Sequence, residues 1–170
     1  EIARNMNALD LTNLPASAIY LQAGTELAFV HYDKGELQET EEVAKETAAL
    51  ADRVLQMRPD NRPAILAAAD VARLLADIEY NQRGRVSAAQ KHYQESRAAL
   101  ERLLALDTSK GAVWFNLAEV KFNIASTLRD LGRMQEAIQM LHEAITMADR
   151  FTLTPLMARD FATWSGLLAL

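Results

Sequence analysis

Glycine and proline return along this chain of 170 residues at a nearly constant interval. Gly35, Gly84 and Gly132 are separated by 49 and 48 residues. Because both residue types interrupt helices and favour turns, their spacing marks the ends of successive structural units. A fixed interval in this range is typical of a chain that stacks repeated units into an array. The same interval relates two further sets: Pro15, Pro63 and Gly111 follow one another at 48 residues, and Pro59 and Pro155 are 96 apart.

The composition favours helices and argues against several classes of function. Half of the residues are apolar, the net charge is −5, and the chain contains no cysteine. The missing thiols exclude disulfides, thiolate metal sites and a cysteine nucleophile. A negative charge without any run of lysine or arginine argues against a nucleic-acid partner. No apolar stretch reaches the roughly 18 residues of a membrane span, and we predict a cytoplasmic protein.

Between the turns, apolar residues recur with a period close to that of an amphipathic helix. Pro15, Pro63 and Pro155 lie at predicted helix starts, where the missing N–H costs nothing. Short loops require neighbouring helices to be antiparallel. We therefore predict an all-α fold of about seven helices, an α-solenoid of antiparallel helical hairpins. The predicted helices cover about 17–32, 37–57, 62–82, 86–106, 112–131 and 134–151, and a seventh begins at Pro155.

The helices group into three hairpins of about 48 residues within a single domain. The predicted units are 15–62, 63–110 and 111–154. Residues 1–14 would end a preceding helix, and residues 155–170 would form the first helix of an incomplete unit. Because the chain begins and ends off the period, we expect it to be a window from a longer array.

Residue types at matching positions of these units resemble the tetratricopeptide repeat. That motif alternates small and large residues on two helices, with a glycine near the hairpin turn. The usual repeat has about 34 residues, and one added heptad in each helix would lengthen it while keeping the packing face. Long units of this kind resemble arrays found downstream of kinase or ATPase modules in bacterial signalling proteins. The matching residues are Trp114, Leu117, Ala118, Gly132, Ala137, Leu141 and Ala144 in the third unit, Leu66, Ala69, Gly84, Ala89, Tyr93 and Ser96 in the second, and Gly35, Thr40, Ala44, Thr47 and Pro59 in the first.

The resemblance implies a right-handed superhelix whose concave groove is lined by the first helix of each unit. Two residues depart from the motif: Asp70 replaces a glycine or alanine, and Lys121 replaces a tyrosine. Ala67 and Phe115 occupy the slots where the chaperone-tail-binding version of the family needs lysine, so we predict no carboxylate clamp. The resemblance predicts a partner-binding groove formed by Gln22, Glu26, Phe29, Val71, Leu74, Phe115, Glu119, Phe122 and Asn123, with Ala67 and Ile78 beside them.

No pattern in the sequence indicates a catalytic, cofactor or metal site. His31, His92 and His142 lack metal-ligand spacing, and there is no phosphate-binding glycine loop or nucleophile motif. We therefore predict a protein that is not an enzyme and that needs no cofactor. The acidic run 36–46 is interpreted as a solvated helix face, with a docking patch for a basic partner as the alternative.

Three hypotheses for function follow from the array. The leading one is a non-catalytic scaffold that binds a peptide or helical segment of another protein in the groove, within a larger signalling or regulatory protein. The second is a regulatory domain that senses a small ligand or peptide and controls a fused effector, for which Arg73, Lys121 or Arg129 would point inward. The third is self-association through the C-terminal helix, whose apolar residues are Phe161, Trp164, Leu167 and Leu168.

Overall fold

Six α-helices make up nearly all of the structure, a computed structural model that describes residues 13–107, 109 and 111–148. This confirms the all-α prediction, and most predicted boundaries agree within three residues. The predicted N-terminal helix end and the seventh helix lie outside the described residues. The helices are α1 (Leu14–Asp33), α2 (Leu37–Met57), α3 (Arg62–Asp77), α4 (Val86–Leu106), α5 (Gly111–Asp130) and α6 (Met134–Ala148).

Two of the helices that begin a hairpin, α1 and α3, have an asparagine N-cap, and a proline lies two residues after each cap. The side-chain oxygens of Asn13 and Asn61 accept hydrogen bonds from backbone N–H groups in the first turns of α1 and α3, at 3.2 and 3.0 Å. Such caps satisfy donors that have no partner inside the helix. Pro15 and Pro63 lie in the same first turns, as predicted from their spacing.

The three periodic glycines all have left-handed backbone conformations. The φ angles of Gly35, Gly84 and Gly132 are +77°, +62° and +75°, and among the described residues positive φ occurs at these glycines alone. After α1 and α5, the residue that follows the glycine donates a hydrogen bond back to a helix carbonyl, at 2.9 and 2.8 Å. This geometry closes a helix C-terminus and strongly favours glycine, which explains the interval seen in the sequence.

A π-helical turn, Ile78–Gln82, extends α3 beyond its α-helical part. The prediction of one helix to residue 82 therefore gave the correct length but missed this change of hydrogen bonding. The Tyr80 hydroxyl donates to Asp130 at the end of α5 across 2.5 Å. Arg83 follows the turn and pairs with Glu79 at 2.6 Å and with Glu41 of α2. The turn is therefore connected to the hairpins on both sides of it.

Each helix packs against the next one along the chain, and α1 also contacts α3. This order of contacts is that of an α-solenoid, in which every hairpin covers the face that its neighbour exposes. No helix in the described part of the chain combines the length and the apolar character needed to cross a bilayer.

The core is continuous across the hairpins because α3 contributes to three groups of buried apolar side chains. Its residues Ala64 and Ala67 pack with Leu21 of α1 and Leu50 of α2. Ile65, on the same helix, belongs to the large group formed with α4, α5 and α6. A hairpin removed from its neighbours would leave these surfaces in water.

Small residues allow the two helices of a hairpin to approach closely. Ala89 and Ala137 are at most 2% exposed, and each lies in the first turn of the second helix of its hairpin. One turn later, Tyr93 fills the space between α3 and α4 and is 1% exposed. The predicted alternation of small and large residues therefore corresponds to buried packing positions.

Replacing Gly84 by alanine is expected to lower the free energy of unfolding by about 1 kcal/mol, because an L-residue is strained at a φ of +62°. No atom would meet the added methyl within 4 Å, so the loss reports backbone strain alone. Urea denaturation measures the change. Gly111→Ala is the matched control, since Gly111 begins a helix without positive φ and should gain stability. Equal stability of the two variants would contradict this account.

Candidate functional site

A cavity of about 400 Å³ lies between α1 and α3, beside the end of α4 and the start of α5. Ion pairing closes one edge: Arg62 Nη1 is 3.1 Å from Asp107 Oδ2, and Arg62 also donates to the Leu106 carbonyl at 3.1 Å. We call this space the α1–α3 cavity. Its lining combines apolar and polar side chains from four helices: Ala18, Gln22, Thr25, Glu26, Arg62, Pro63, Leu66, Ala67, Asp70, Leu103, Asp107 and Val113.

Asp70 is the most perturbed acid of this cavity. Burial raises the pKa of its carboxyl, Arg73 lowers it, and the negative charges of Glu119 and Glu26 raise it again, to about 6. The carboxylate is therefore charged at neutral pH but poorly compensated. A buried charge with too little compensation is a favourable place for an incoming cation.

Arg73 is the cation that links the first helices of the three hairpins. Its Nη1 atom is 3.5 Å from Asp77 Oδ2 on its own helix and 3.7 Å from Glu119 Oε1 on α5. Its guanidinium carbon lies 5.2 Å from the centre of the Phe29 ring on α1, within the range of a cation–π contact. One positive charge is thus shared among several acids.

Asp77 fastens this network to the second helix of its hairpin. The Tyr93 hydroxyl donates a hydrogen bond of 2.6 Å to Asp77 Oδ1. Burial raises the pKa of Asp77, while the bond from Tyr93 and the charge of Arg73 oppose that rise. Because Tyr93 is buried, the network ties Arg73 to the core between α3 and α4.

Four of the predicted groove residues belong to this region. Gln22 and Glu26 are exposed and line the α1–α3 cavity. Phe29 and Glu119 are half-buried and meet through Arg73. The structure therefore brings together predicted residues from the first helix of the first and third units.

Val71 and Leu74 do not line a groove, and their prediction as partner-contacting residues is wrong. They are 1% and 0% exposed and pack with Ala28 and Ala44 in the core between α1, α2 and α3. On the same helix, Asp70 and Arg73 are only half-buried. Ala67 and Ile78 are buried as well, at 4% and 1%.

The predicted residues from the third unit form a small apolar group on α5. Phe115 and Phe122 are half-buried and pack around Ala118, together with Met147 of α6. Asn123 is also half-buried. The aromatic rings support the third hairpin and expose only part of their surface, so they are weaker candidates for contact than Gln22 and Glu26.

The cations that the sensor hypothesis placed inward are already paired. Arg73 is shared as described, and Arg129 Nη2 is 2.9 Å from Asp130 Oδ1. Lys121 is 8% exposed and pairs with Glu143 of α6 at 2.5 Å. The hydrogen bond from Lys121 is the main cause that lowers the pKa of Glu143. The lysine in a tyrosine slot thus joins the two helices of its hairpin.

His31, His92 and the acidic run 36–46 contact other side chains of the protein. His31 lies 2.5 Å from Glu36 across the first turn, and His92 lies 2.9 Å from Glu95. Burial raises the pKa of Glu41, but hydrogen bonds and charge from Lys45 and Arg83 hold it below its ordinary value. Within the described ranges, no group of three histidine or acidic side chains could hold a metal ion.

Sequence reasoning missed the centre of the site although it noticed two of its residues. The sequence marks Asp70 as an acid in a slot for glycine or alanine, and it points to Arg73 only under the sensor hypothesis. Asp77 carried no signal of its own. The spacing of Asp70, Arg73 and Asp77, three and four residues apart, places all three on one helix face, and this pattern could have identified the network.

Comparison with known proteins gives one family. The family model of the tetratricopeptide repeat matches residues 67–150, a stretch that includes Asp70, Arg73 and the whole of α4, α5 and α6. This confirms the family resemblance. The long-helix variety remains a prediction. No curated protein matches the chain.

Asp70→Asn is expected to raise the free energy of unfolding at pH 7.5 by about 2 kcal/mol. The folded-state pKa of about 6 exceeds the value of 3.8 expected for the unfolded chain, so the charged carboxylate costs stability above pH 6. The cost declines as the pH falls through 6 towards 4, and the two proteins should converge there. Denaturation at several pH values measures this difference. A pH-independent gap would contradict the assigned cause, and Asp52→Asn, on the exposed surface of α2, is the control.

Proposed function

We propose that the chain is a non-catalytic interaction module, because residues 67–150 match the tetratricopeptide repeat, whose repeats generally mediate contacts between proteins. The partner segment would bind along the first helices, with one side chain entering the α1–α3 cavity. The single observation that carries this proposal is the cavity itself, where an undercompensated Asp70 lies beside the exposed Glu26.

The lining of the cavity defines the chemistry of the partner. Leu66, Ala18 and Val113 offer apolar contact, whereas Asp70 and Glu26 offer two carboxylates. A lysine or arginine side chain matches both, because its aliphatic stem packs on apolar surface while its charged end pairs with the acids. We therefore propose a partner segment with a basic residue flanked by apolar ones.

A neighbouring cation would also reduce the negative charge that Arg73 has to compensate. In the free protein this arginine is shared by Asp77 and Glu119 at 3.5 and 3.7 Å and also lowers the pKa of Asp70. A second positive charge near Asp70 would lower the pKa of that carboxyl, and the gain in free energy would appear as affinity.

The volume of about 400 Å³ falls at the lower end of the range for small-molecule sites, which suits one or two side chains. Helix-in-groove or extended binding would place the rest of the segment over Gln22 and the exposed edges of Phe29 and Glu119. We also propose that the array is part of a larger signalling or regulatory protein, because its long units resemble arrays found in such proteins.

A sensor for an anionic ligand has less support. Arg73, Lys121 and Arg129 each have acidic partners within 4 Å, so an anion would have to displace an existing ion pair. A peptide-sensing role would use the same cavity as the scaffold and differs only in what is fused to the array.

Glu26→Lys is expected to reduce capture of the physiological partner at least about tenfold, because the new ammonium would take the place of the partner's cation beside Asp70. The same change should leave the stability of the free protein equal or higher, since it lowers the pKa of Asp70. Glu42→Lys makes the same charge change on the exposed face of α2 and should bind normally. Immobilised variants, cross-linking and quantification of the captured proteins measure the difference.

A second variant separates filling of the cavity from its charge. Ala18→Phe places a ring at the cavity wall and should also prevent capture. Partner capture that is equal in wild type, Glu26→Lys and Ala18→Phe would refute the proposal. Paired substitution of Phe115 and Phe122 is less useful, because both pack around Ala118 and their loss would unfold part of the third hairpin.

A further inference from the structure

Large apolar side chains that remain exposed are concentrated at the two ends of the array. Within the described ranges they are Ile19, Val30, Met57, Leu131, Met134 and Ile138. The first two lie on α1, and the last three lie on α6 or in the turn before it. Single exposed apolar residues are ordinary, but groups of them mark interaction surfaces. Both ends of the array therefore carry a candidate docking surface.

On α1 the exposed residues form one stripe, Ile19, Ala23, Glu26 and Val30, which we call the α1 outer stripe. Spacings of three and four residues place all four on the same helix face. Ile19 is 67% exposed and Val30 is 47% exposed, and Ala23 and Glu26 are exposed between them. Three of the four members are apolar, and Glu26 also borders the α1–α3 cavity. A helix that is apolar on more than its core face usually packs against a further element.

The matching stripe of α3 is buried. Asn13 and Asn61 cap α1 and α3 in the same way and are 48 residues apart, so residues at this interval are equivalent on the two helices. The equivalents of the α1 outer stripe are at most 4% exposed, and they are Ala67, Val71, Leu74 and Ile78. Positions 115, 119, 122 and 126 of α5, another 48 residues on, are half-buried. Full exposure of this stripe is thus confined to α1.

The preceding hairpin is what covers the stripe of α3. Ala67, Val71 and Leu74 pack with both helices of the first hairpin, at Leu21, Ala28, Ala44 and Leu50. Ala44 and Leu50 belong to α2, the second helix of that hairpin. The α1 outer stripe is therefore the face with which a hairpin of this array receives the hairpin before it.

The opposite half of such a contact is found on α6. Because α2 packs against α3 and α4 packs against α5, each second helix covers the first helix of the next hairpin. The second helix of the third hairpin is α6, and it exposes Met134 and Ile138. Leu141 of α6 is half-buried, whereas Tyr93, the equivalent residue 48 positions earlier on α4, is 1% exposed. The packing surface that α4 uses is thus partly open on α6.

We propose that the α1 outer stripe of one copy binds α6 of a second copy, so that the chains stack head to tail. This contact would continue the packing of α2 on α3 and of α4 on α5 across the boundary between copies. Ile19, Ala23 and Val30 would supply the apolar side chains of the first helix, and Ile138 and Leu141 those of the second. A contact between two different surfaces is heterologous and does not close on itself, so association should pass beyond a dimer as the concentration rises.

Sedimentation velocity of the full chain with one end blocked at a time tests this proposal. Ile19→Glu blocks the α1 outer stripe and Ile138→Glu blocks α6, because each would bury a carboxylate in an apolar contact. The average mass of the wild type should rise with concentration, and each variant alone should associate at least about tenfold more weakly. An equimolar mixture of the two variants should form dimers and stop there, since each variant contributes one intact end. Ala49→Glu is the control and should associate like the wild type, because its position is exposed on all three second helices.

Four results would overturn the proposal. One is a wild type that stays monomeric up to about 1 mM. Dimers of Ile138→Glu alone would mean that α1 pairs with α1 of the second copy, and dimers of Ile19→Glu alone would assign association to another surface. The fourth is a lower urea midpoint for Ile19→Glu than for Ala49→Glu in dilute solution, which would show that the chain covers its own stripe. If Ile138→Glu fails to fold by circular dichroism, Met134→Glu at a more exposed position replaces it with the same expected loss.

Discussion

The position of α3 between two hairpins is the constraint on which the rest of the structure depends. One side of this helix packs with α1 and α2, and another packs with the group formed by α4, α5 and α6. Only a third face remains for water and for partners. The same helix therefore joins the array and presents Asp70 and Arg73, so the site is as rigid as the core that supports it.

Charge in this site is balanced on very few groups. Arg73 is shared between Asp77 and Glu119, and it lies over the Phe29 ring. Asp70 keeps a pKa near 6 because burial outweighs that shared cation. Functional sites often retain such imbalance where a stable core would remove it. Its cost in folding free energy is the reason to expect a compensating ligand.

The sequence was sufficient for the architecture because its strongest signals are local. Left-handed turns select glycine and first helical turns accept proline, so the interval between Gly84 and Gly132 predicts where the two helices of each hairpin are joined. Site residues follow a different rule. Val71 and Leu74 were placed on the groove by analogy with the family, yet the long helices turn another face outward. Arg73 contacts Phe29 of α1, Asp77 of α3 and Glu119 of α5. Only Asp77 is close to it in sequence, so a local pattern cannot predict the other two contacts.

The net charge of the protein should affect how quickly a ligand reaches the α1–α3 cavity. A net charge of −5 creates a long-range field that accelerates the approach of basic segments and slows that of acidic ones. Encounter at the α1–α3 cavity is therefore steered by the whole molecule.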